Sequence, residues 1–362
     1  MPETVVYNHQ PRQASSLVLE RIRNLKVGQK MQDLPEELWH DSFRFYMKED
    51  PNRQGGPNLR MIRLDPDKPS LTVTGYIYNK FVHPFEDRFI TPREAARLQG
   101  FPDDFEFKGT LTSVQRQIGD AVPIELGEAL FRAITDIALR DGKKQLLSLS
   151  LFSGAGGLDL AALNVSRSKQ CGLQTLACVE IEPDRCQTLQ NYFGQDLSVI
   201  QADISKISVS NVLDTIQVKP EHIHLIYGGP PCQSFSQAGK QKGTADSRGG
   251  LIFDFLRFVE EIAPPMFLME NVANLQGIDN GTLIRVIRDK INKIGYLVEH
   301  QVLNAAFYGT AQYRRRMIFL GVRKGVGASL VFPSPTHDAP SNIFRLPAFR
   351  TVRDAFVGLP PA

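Results

Sequence analysis

Several things are scarce in this chain, and each scarcity removes a class of explanation. Its 362 residues hold four cysteines, Cys171, Cys178, Cys186 and Cys232. None forms a C-x-x-C pair or stands near a histidine at zinc-ligand spacing, which argues against a disulfide framework and against a metal site. No apolar run reaches the roughly 18 residues that a membrane-spanning helix needs. The opening stretch, MPETVVYNHQPRQ, has no apolar segment behind a basic start, so the expected setting is a reducing cytoplasm, away from any membrane. Charge of one sign is scarce as well. A formal net charge of +3 and a pI near 8.6 permit a polyanionic partner without demanding one. The sequence shows no internal repeat and no low-complexity tract. It carries no signal for its oligomeric state, and a monomer is assumed.

A chain of this length can bury one large core and still carry a smaller module, so two unequal domains are expected. Residues 1–64 are polar and turn-rich, with ten Lys and Arg against eight Asp and Glu and a loop-like PNRQGGPN at 51–58. In TPREAARL, Thr91 precedes a proline at the first helical position and a glutamate at the third, which predicts a helix from Pro92 that stops before Gly100. PIELGEALFRAITDIALR places Leu126, Leu130, Ile134 and Ile137 or Ala138 on one helical face. QLLSLSLF then reads as a buried strand that turns tightly into the helix of SGAGGLDLAAL. Apolar runs at LACVEI, HIHLIYGG, MFLMEN and RMIFLGV alternate with helix-length stretches, GLIFDFLRFVEEI and LIRVIRDKINKIG among them. The alternation predicts an α/β fold with a doubly wound, mostly parallel sheet.

The first strand leads into Phe152-Ser-Gly154-Ala155-Gly156-Gly157, a turn in which bare backbone at a helix start can approach a cofactor. Glu180 ends the next strand, where a carboxylate can accept from ribose hydroxyls, a feature equally suited to a dinucleotide-dependent oxidoreductase. The spacing G-x-G-x-x-G is absent, which favours a cofactor without a pyrophosphate. Gly228-Gly-Pro230-Pro-Cys232-Gln233-Ser234-Phe-Ser236 follows another strand. Its paired prolines stiffen the backbone before a cysteine at the edge where open α/β sheets bind ligands. Met269-Glu270-Asn271-Val272 brings a carboxyl and an amide to the same edge. Gln312-Tyr-Arg314-Arg-Arg316 precedes a strand, and alternation is expected to put both arginines on one side. Each of these runs, taken singly, has an ordinary reading as a tight turn, a buried thiol, a helix cap or a solvated face.

Together, and in this order, FSGAGGL, GGPPCQSFS, MENV and the Q-x-R-x-R run resemble the DNA cytosine-5 methyltransferase family. DSRGGLIFDFLRFV is similar to the family segment after its mobile loop. TPREAARLQGFPDDF and QRQIGDAVP resemble signatures that normally close the family's chain, yet here they come first. TVRDAFVGLPP at 351–361 resembles the segment that leads into the target recognition region. The resemblance therefore implies a circular permutation, with residues 1–64 as a small, irregular recognition domain, 65–145 as permuted closing motifs and 146–362 as the catalytic domain. It covers roughly 65–362, with two departures: Asp120 stands where the family has Asn, and Ala311 where it has Pro.

The resemblance implies a Rossmann-like methyltransferase that uses S-adenosylmethionine on a flipped-out cytosine in double-stranded DNA, within a restriction-modification system or as an orphan bacterial or phage methylase. Cys232 becomes the covalent nucleophile, Glu270 the ring-nitrogen contact, Arg314 and Arg316 donors near the ring oxygen, and Asn271 a support. Phe152, Gly154, Ala155, Gly156, Gly157, Glu180, Ile181, Asp203, Ile204, Pro230, Asp120 and Ala121 form the donor pocket, with Asp203 accepting from the adenine amino group. Gln233, Ser234, Ser236, Lys240, Lys242 and Arg248 in loop 233–251 contact DNA. The rival readings are a transfer RNA cytosine-5 methyltransferase, the oxidoreductase, and a non-catalytic DNA-binding module. The last two leave the Cys, Glu and Arg motifs without a purpose.

Overall fold

A computed structural model describes residues 5–49, 61–75, 80–140, 142, 144–168, 172–231, 250–326, 330–339 and 343–362. The chain divides into two compact units, one made of 1–120, 309–313 and 337–362, the other of 121–308 and 314–336.

The first unit begins with α1 (Ser16–Asn24) and α2 (Asp41–Lys48). Ile22, Leu25, Met31, Leu34, Leu38 and Phe43 form a small core with Met61, Val82 and Phe89. Buried Arg63 holds this core together by donating to the carbonyls of Ile22 and Leu25 and pairing with Asp87 at 2.7 Å. It lies in β1 (Ile62–Arg63), which runs parallel to β2 (Phe81–Val82). Helix α3 (Pro92–Leu98) starts on the expected capping box, with the Thr91 amide donating to Glu94 Oε2 at 2.7 Å and the Glu94 amide to Thr91 Oγ1 at 3.2 Å. Helix α4 (Leu111–Asp120) follows. Gln312 is fully buried here, its amide nitrogen donating to the Leu98 carbonyl and to Gln99 while its oxygen accepts from the Val73 amide.

The second unit opens with α5 (Ile124–Arg140), whose Leu126, Leu130, Ile134, Ile137 and Ala138 are all buried as the spacing predicts. The alternating part comprises β3 (Gln145–Leu151), α6 (Gly157–Ser168), β4 (Gly172–Glu180), α7 (Pro183–Phe193), β5 (Ser198–Gln201), α8 (Val209–Ile216) and β6 (Leu225–Gly228). It continues as α9 (Gly250–Ile262), β7 (Met266–Val272), α10 (Thr282–Lys293), β8 (Tyr296–Asn304) and β9 (Arg315–Arg323). The sheet order is β5-β4-β3-β6-β7-β9-β8. Strands β5, β4, β3, β6 and β7 are parallel, whereas β9 runs antiparallel to both β7 and β8. The fold is therefore a doubly wound, mostly parallel α/β sheet.

Candidate active site at the carboxyl edge of the sheet

Strand β3 has β4 on one side and β6 on the other, so the direction of winding reverses there. Such a switch point opens a crevice at the carboxyl ends of the strands. Leu151 and Gly228 are paired, and the 152–157 turn and the Gly229–Pro230 segment therefore leave the sheet side by side.

The turn is built under strain. Phe152 has φ +56°, Gly154 +59° and Gly156 +83°. A phenylalanine in the left-handed region is costly, and such strain concentrates where a site requires it. Glycine suits position 156 on two counts: its φ, and a Cβ that would sit 2.7 Å from Leu189 Cδ2 and force that side chain to move. A Cβ on Gly157 would sit 2.5 Å from the Val122 carbonyl oxygen and 3.4 Å from Ala121 Cβ. That contact brings Ala121 to the turn, and Ala155 is buried. Asp120 is exposed on the last turn of α4.

Glu180 ends β4 and is 5 % exposed. Its carboxylate accepts from the amides of Gly154 at 2.7 Å, Ile181 at 2.9 Å and Glu182 at 3.0 Å. Of the roughly four lone-pair directions on a carboxylate, three are therefore taken by backbone, leaving about one open. Glu180 thus also shapes the turn, a role that motif spacing did not reveal. Ile181 projects 52 % exposed just beyond it. The Ala202 amide donates to the Glu180 carbonyl at 3.0 Å, placing Asp203 next along this edge. Asp203 Oδ1 accepts from Ser205 Oγ at 2.7 Å, and those Ser205 bonds hold its carboxyl below the ordinary value. It therefore stays an acceptor at neutral pH. Ile204 is buried behind it.

Glu270 lies near the end of β7, and its Oε1 pairs with Arg316 Nε at 2.7 Å. The pairing follows from register, because Val272 stands opposite Arg316. A Cβ on Gly229 would come within 2.9 Å of Glu270 Oε2, so glycine there lets the carboxylate lie against the backbone before Cys232. Asn271 Nδ2 donates to the Pro230 carbonyl at 2.9 Å while its Oδ1 accepts from the Val272 amide. Arg314 is 1 % exposed, with its amide bonded to Asn304 Oδ1 at 3.0 Å. Arg314 lies just before β9 (Arg315–Arg323) and is buried, Arg315 is exposed, and Arg316 is again partly shielded. Cys232, Gln233, Ser234, Ser236, Lys240, Lys242 and Arg248 lie outside the described residues.

Of the other cysteines, Cys178 and Cys186 are free and buried. Burial raises both thiols, that of Cys186 to about 11. Neither supplies a thiolate at neutral pH. Among the described residues no group of three or more His, Cys, Asp or Glu could hold a metal ion. None of the described helices is long and apolar enough to cross a membrane.

One buried acid escaped the motif reading. Asp159, in the first turn of α6, accepts from the Tyr227 hydroxyl at 3.0 Å, and that oxygen lies 2.7 Å from Thr175 Oγ1. Asp159 Oδ2 has no hydrogen-bond partner among the described residues. Burial raises the carboxyl from 3.8 to about 6. An acid with a raised folded-state pKa stabilises the fold below its unfolded value and loses that contribution as pH climbs through the folded value. Asp159→Asn is therefore expected to gain stability over the parent as pH rises from 4 to 7, by about 2 to 3 kcal/mol at the top of that range. Urea unfolding at several pH values measures it, and two parallel stability curves would contradict the assignment.

Comparison with known proteins bears on this edge. The family described as C-5 cytosine-specific DNA methylase matches residues 4–136 and 146–355. The type II methyltransferase M.AquIA of Picosynechococcus sp. is 39% identical over 230 residues, covering 59% of this chain and 89% of that protein. M1.HphI of Haemophilus parahaemolyticus, also a type II methyltransferase, is 38% identical over 194 residues, covering 53% of this chain and 49% of that one. The chain thus spans about half the length of the second relative. A solved E. coli structure, described as a prophage-encoded DNA modification methyltransferase, superimposes with a TM-score of 0.47 at 27% identity, over 60% of this chain and 56% of that one.

Proposed function

Since the chain belongs to the C-5 cytosine-specific DNA methylase family and is by family an S-adenosylmethionine-dependent DNA cytosine-5 methyltransferase, we propose that it works on duplex DNA through a covalent adduct of Cys232. The observation that carries this reading is the arrangement next to that cysteine: Asn271 ties down the Pro230 carbonyl, and the Glu270–Arg316 pair stands over Gly229.

Carbon 5 of cytosine is a poor nucleophile. Addition of the Cys232 thiolate to carbon 6 turns the ring into an enamine that is nucleophilic at carbon 5. S-adenosylmethionine, when bound, supplies an electrophilic methyl group. Glu270 contacts ring nitrogen 3 and carries the proton there as charge develops. Arg316, held in place by Glu270, and Arg314 stabilise that charge with fixed donors. Loss of the carbon-5 proton to water then expels Cys232 as a thiolate, and Glu270 takes back the proton from ring nitrogen 3. The 152–157 turn fits the donor, because its glycines expose backbone, Ile181 offers an apolar face and Asp203 an acceptor. A base inside a duplex is out of reach of such a crevice, so the cytosine is flipped out.

Residues 1–64 serve as the target recognition region of a permuted chain in this reading. It is supported by the two-piece family match and by His9, whose Nε2 lies 2.9 Å from the Pro360 carbonyl. The role follows the type II relatives, a modification methylase acting in the cytoplasm.

Bisulfite sequencing of plasmid DNA from a host expressing the chain tests the activity and reads the target. Methylcytosine confined to one short sequence is the expected result. Unmethylated plasmid together with methyl transfer to transfer RNA by the purified protein would replace DNA by RNA as the substrate.

A further inference from the structure

The adenine-side acid of the donor pocket sits on a very short turn. Asp203 begins it, and the amides of Lys206 and Ile207 both return to the Asp203 carbonyl at 2.9 and 3.0 Å. Such a turn leaves the carbonyls of Ile204 and Ile207 pointing outward. Both are met by a single side chain from a distant part of the sequence: Arg257, on the second half of α9, donates from Nη2 to the Ile204 carbonyl at 2.6 Å and to the Ile207 carbonyl at 3.3 Å.

The guanidinium is itself held from all sides. Asp254 lies 3.6 Å from its Nε and Glu261 3.8 Å from its Nη1, one helical turn before and one after. Its carbon sits 4.9 Å from the centre of the Phe258 ring. A long, flexible cation locked this firmly loses much of its freedom before the turn arrives, so its two hydrogen bonds cost less ordering entropy than they otherwise would. Beneath it, Ile204 packs into the core shared with Ile252, Phe255, Leu256 and Val259 of α9. The turn is therefore fastened twice to this helix, by Ile204 below and by Arg257 above.

We infer that Arg257 is a positioning residue for donor recognition, setting the Asp203 carboxylate where it selects an adenine amino group. The inference rests on the reading of Asp203 as the adenine acceptor. Arg257 touches neither the donor nor the cytosine. It acts by keeping the carbonyls of 204 and 207 in place, and with them the direction in which Asp203 faces.

A purely structural arginine would affect stability and leave selectivity untouched. A positioning arginine affects selectivity. The probes are S-adenosylhomocysteine, which keeps the adenine, and its hypoxanthine counterpart, whose exocyclic oxygen faces a carboxylate with an acceptor instead of a donor. Calorimetry with the full chain measures both. The parent is expected to prefer the adenine form by about ten- to a hundredfold, the usual cost of leaving a polar group facing the wrong partner. Asp203→Ala should lose nearly all of that preference. Arg257→Ala should lose most of it, Arg257→Lys should keep an intermediate part because one donor survives, and Asp203→Ala combined with Arg257→Ala should lose no more than Asp203→Ala alone. Should Arg257→Ala fail to fold, Arg257→Met keeps the stem over Phe258 and removes the donors, and its selectivity decides the matter. Loss of preference in Asp203→Ala with full preference in the folded Arg257 variants would overturn the role of Arg257 and leave that of Asp203 standing. Full preference in Asp203→Ala would overturn the reading of Asp203 and the inference with it.

Discussion

Cys232→Ser is expected to lower methyl transfer to duplex DNA by about ten-thousand-fold or more, with the dissociation constant for S-adenosylhomocysteine unchanged within about twofold. A hydroxyl is far more basic than a thiol, so it neither adds readily to carbon 6 nor leaves readily afterwards. The 152–157 turn follows β3 and is bonded to β4 through Val179 and Glu180, and neither strand contains residue 232. Binding and chemistry should therefore separate cleanly in this variant. Among the other cysteines, Cys178 and Cys186 are buried with raised thiols and cannot substitute. DNA carrying 5-fluorocytosine at the target should trap the parent enzyme covalently, since fluorine cannot depart as a proton does. Peptide mapping that placed the trapped adduct on any residue but Cys232 would refute the assignment.

Glu270→Gln carries the second-largest expected loss, about a hundred- to ten-thousand-fold in kcat, the usual range for a positioned proton-transfer group. The amide is nearly the same size but cannot pass a proton to ring nitrogen 3. It also ends the 2.7 Å ion pair with Arg316, whose side chain is only 14% exposed. Removing one member of a shielded pair leaves the other charge poorly matched, so about 2 to 4 kcal/mol of stability should go as well. Rate and stability must accordingly be measured on the same preparation, by single-turnover methylation and by urea unfolding. Arg316→Ala should reproduce the stability loss with a smaller loss of rate. A Glu270→Gln enzyme that turned over like the parent would remove Glu270 from the chemistry, whatever its effect on folding.

Legibility from the residues alone differed from element to element. The box at Thr91 and Glu94, the apolar face of α5 and the buried strands β3, β6, β7 and β9 were legible, because each depends on neighbours within a few positions. Strand β5 was not, because its SVIQ is a half-exposed edge strand without the fully buried apolar run that β6, of the same length, shows. Nor was β8, the opposite edge strand, whose polar-rich YLVEHQVLN lacks a continuous apolar run. Helices α1 and α2 escaped for another reason: their core is completed by Met61, Val82 and Phe89, and no local pattern announces a core gathered from so far apart.

The same division runs through the site. Sequence alone determined which chemical groups the protein owns: a cysteine behind two prolines, a carboxyl at a strand end, glycines where a turn needs bare backbone. These are covalent facts, and motif order made the family legible from them. Only the tertiary structure decided what those groups do to one another. Glu180 was readable as a ribose acceptor, but not as the anchor of the Gly154 amide. Asp159 was one more aspartate until Tyr227 was found against it. Glu270 and Arg316 became a pair only through the antiparallel register of β7 and β9, and Arg257 met the Asp203 turn only through the packing of α9. Each of these contacts joins residues tens of positions apart. Their geometry is set by strand order and helix packing, which the whole chain decides together and which no local window contains.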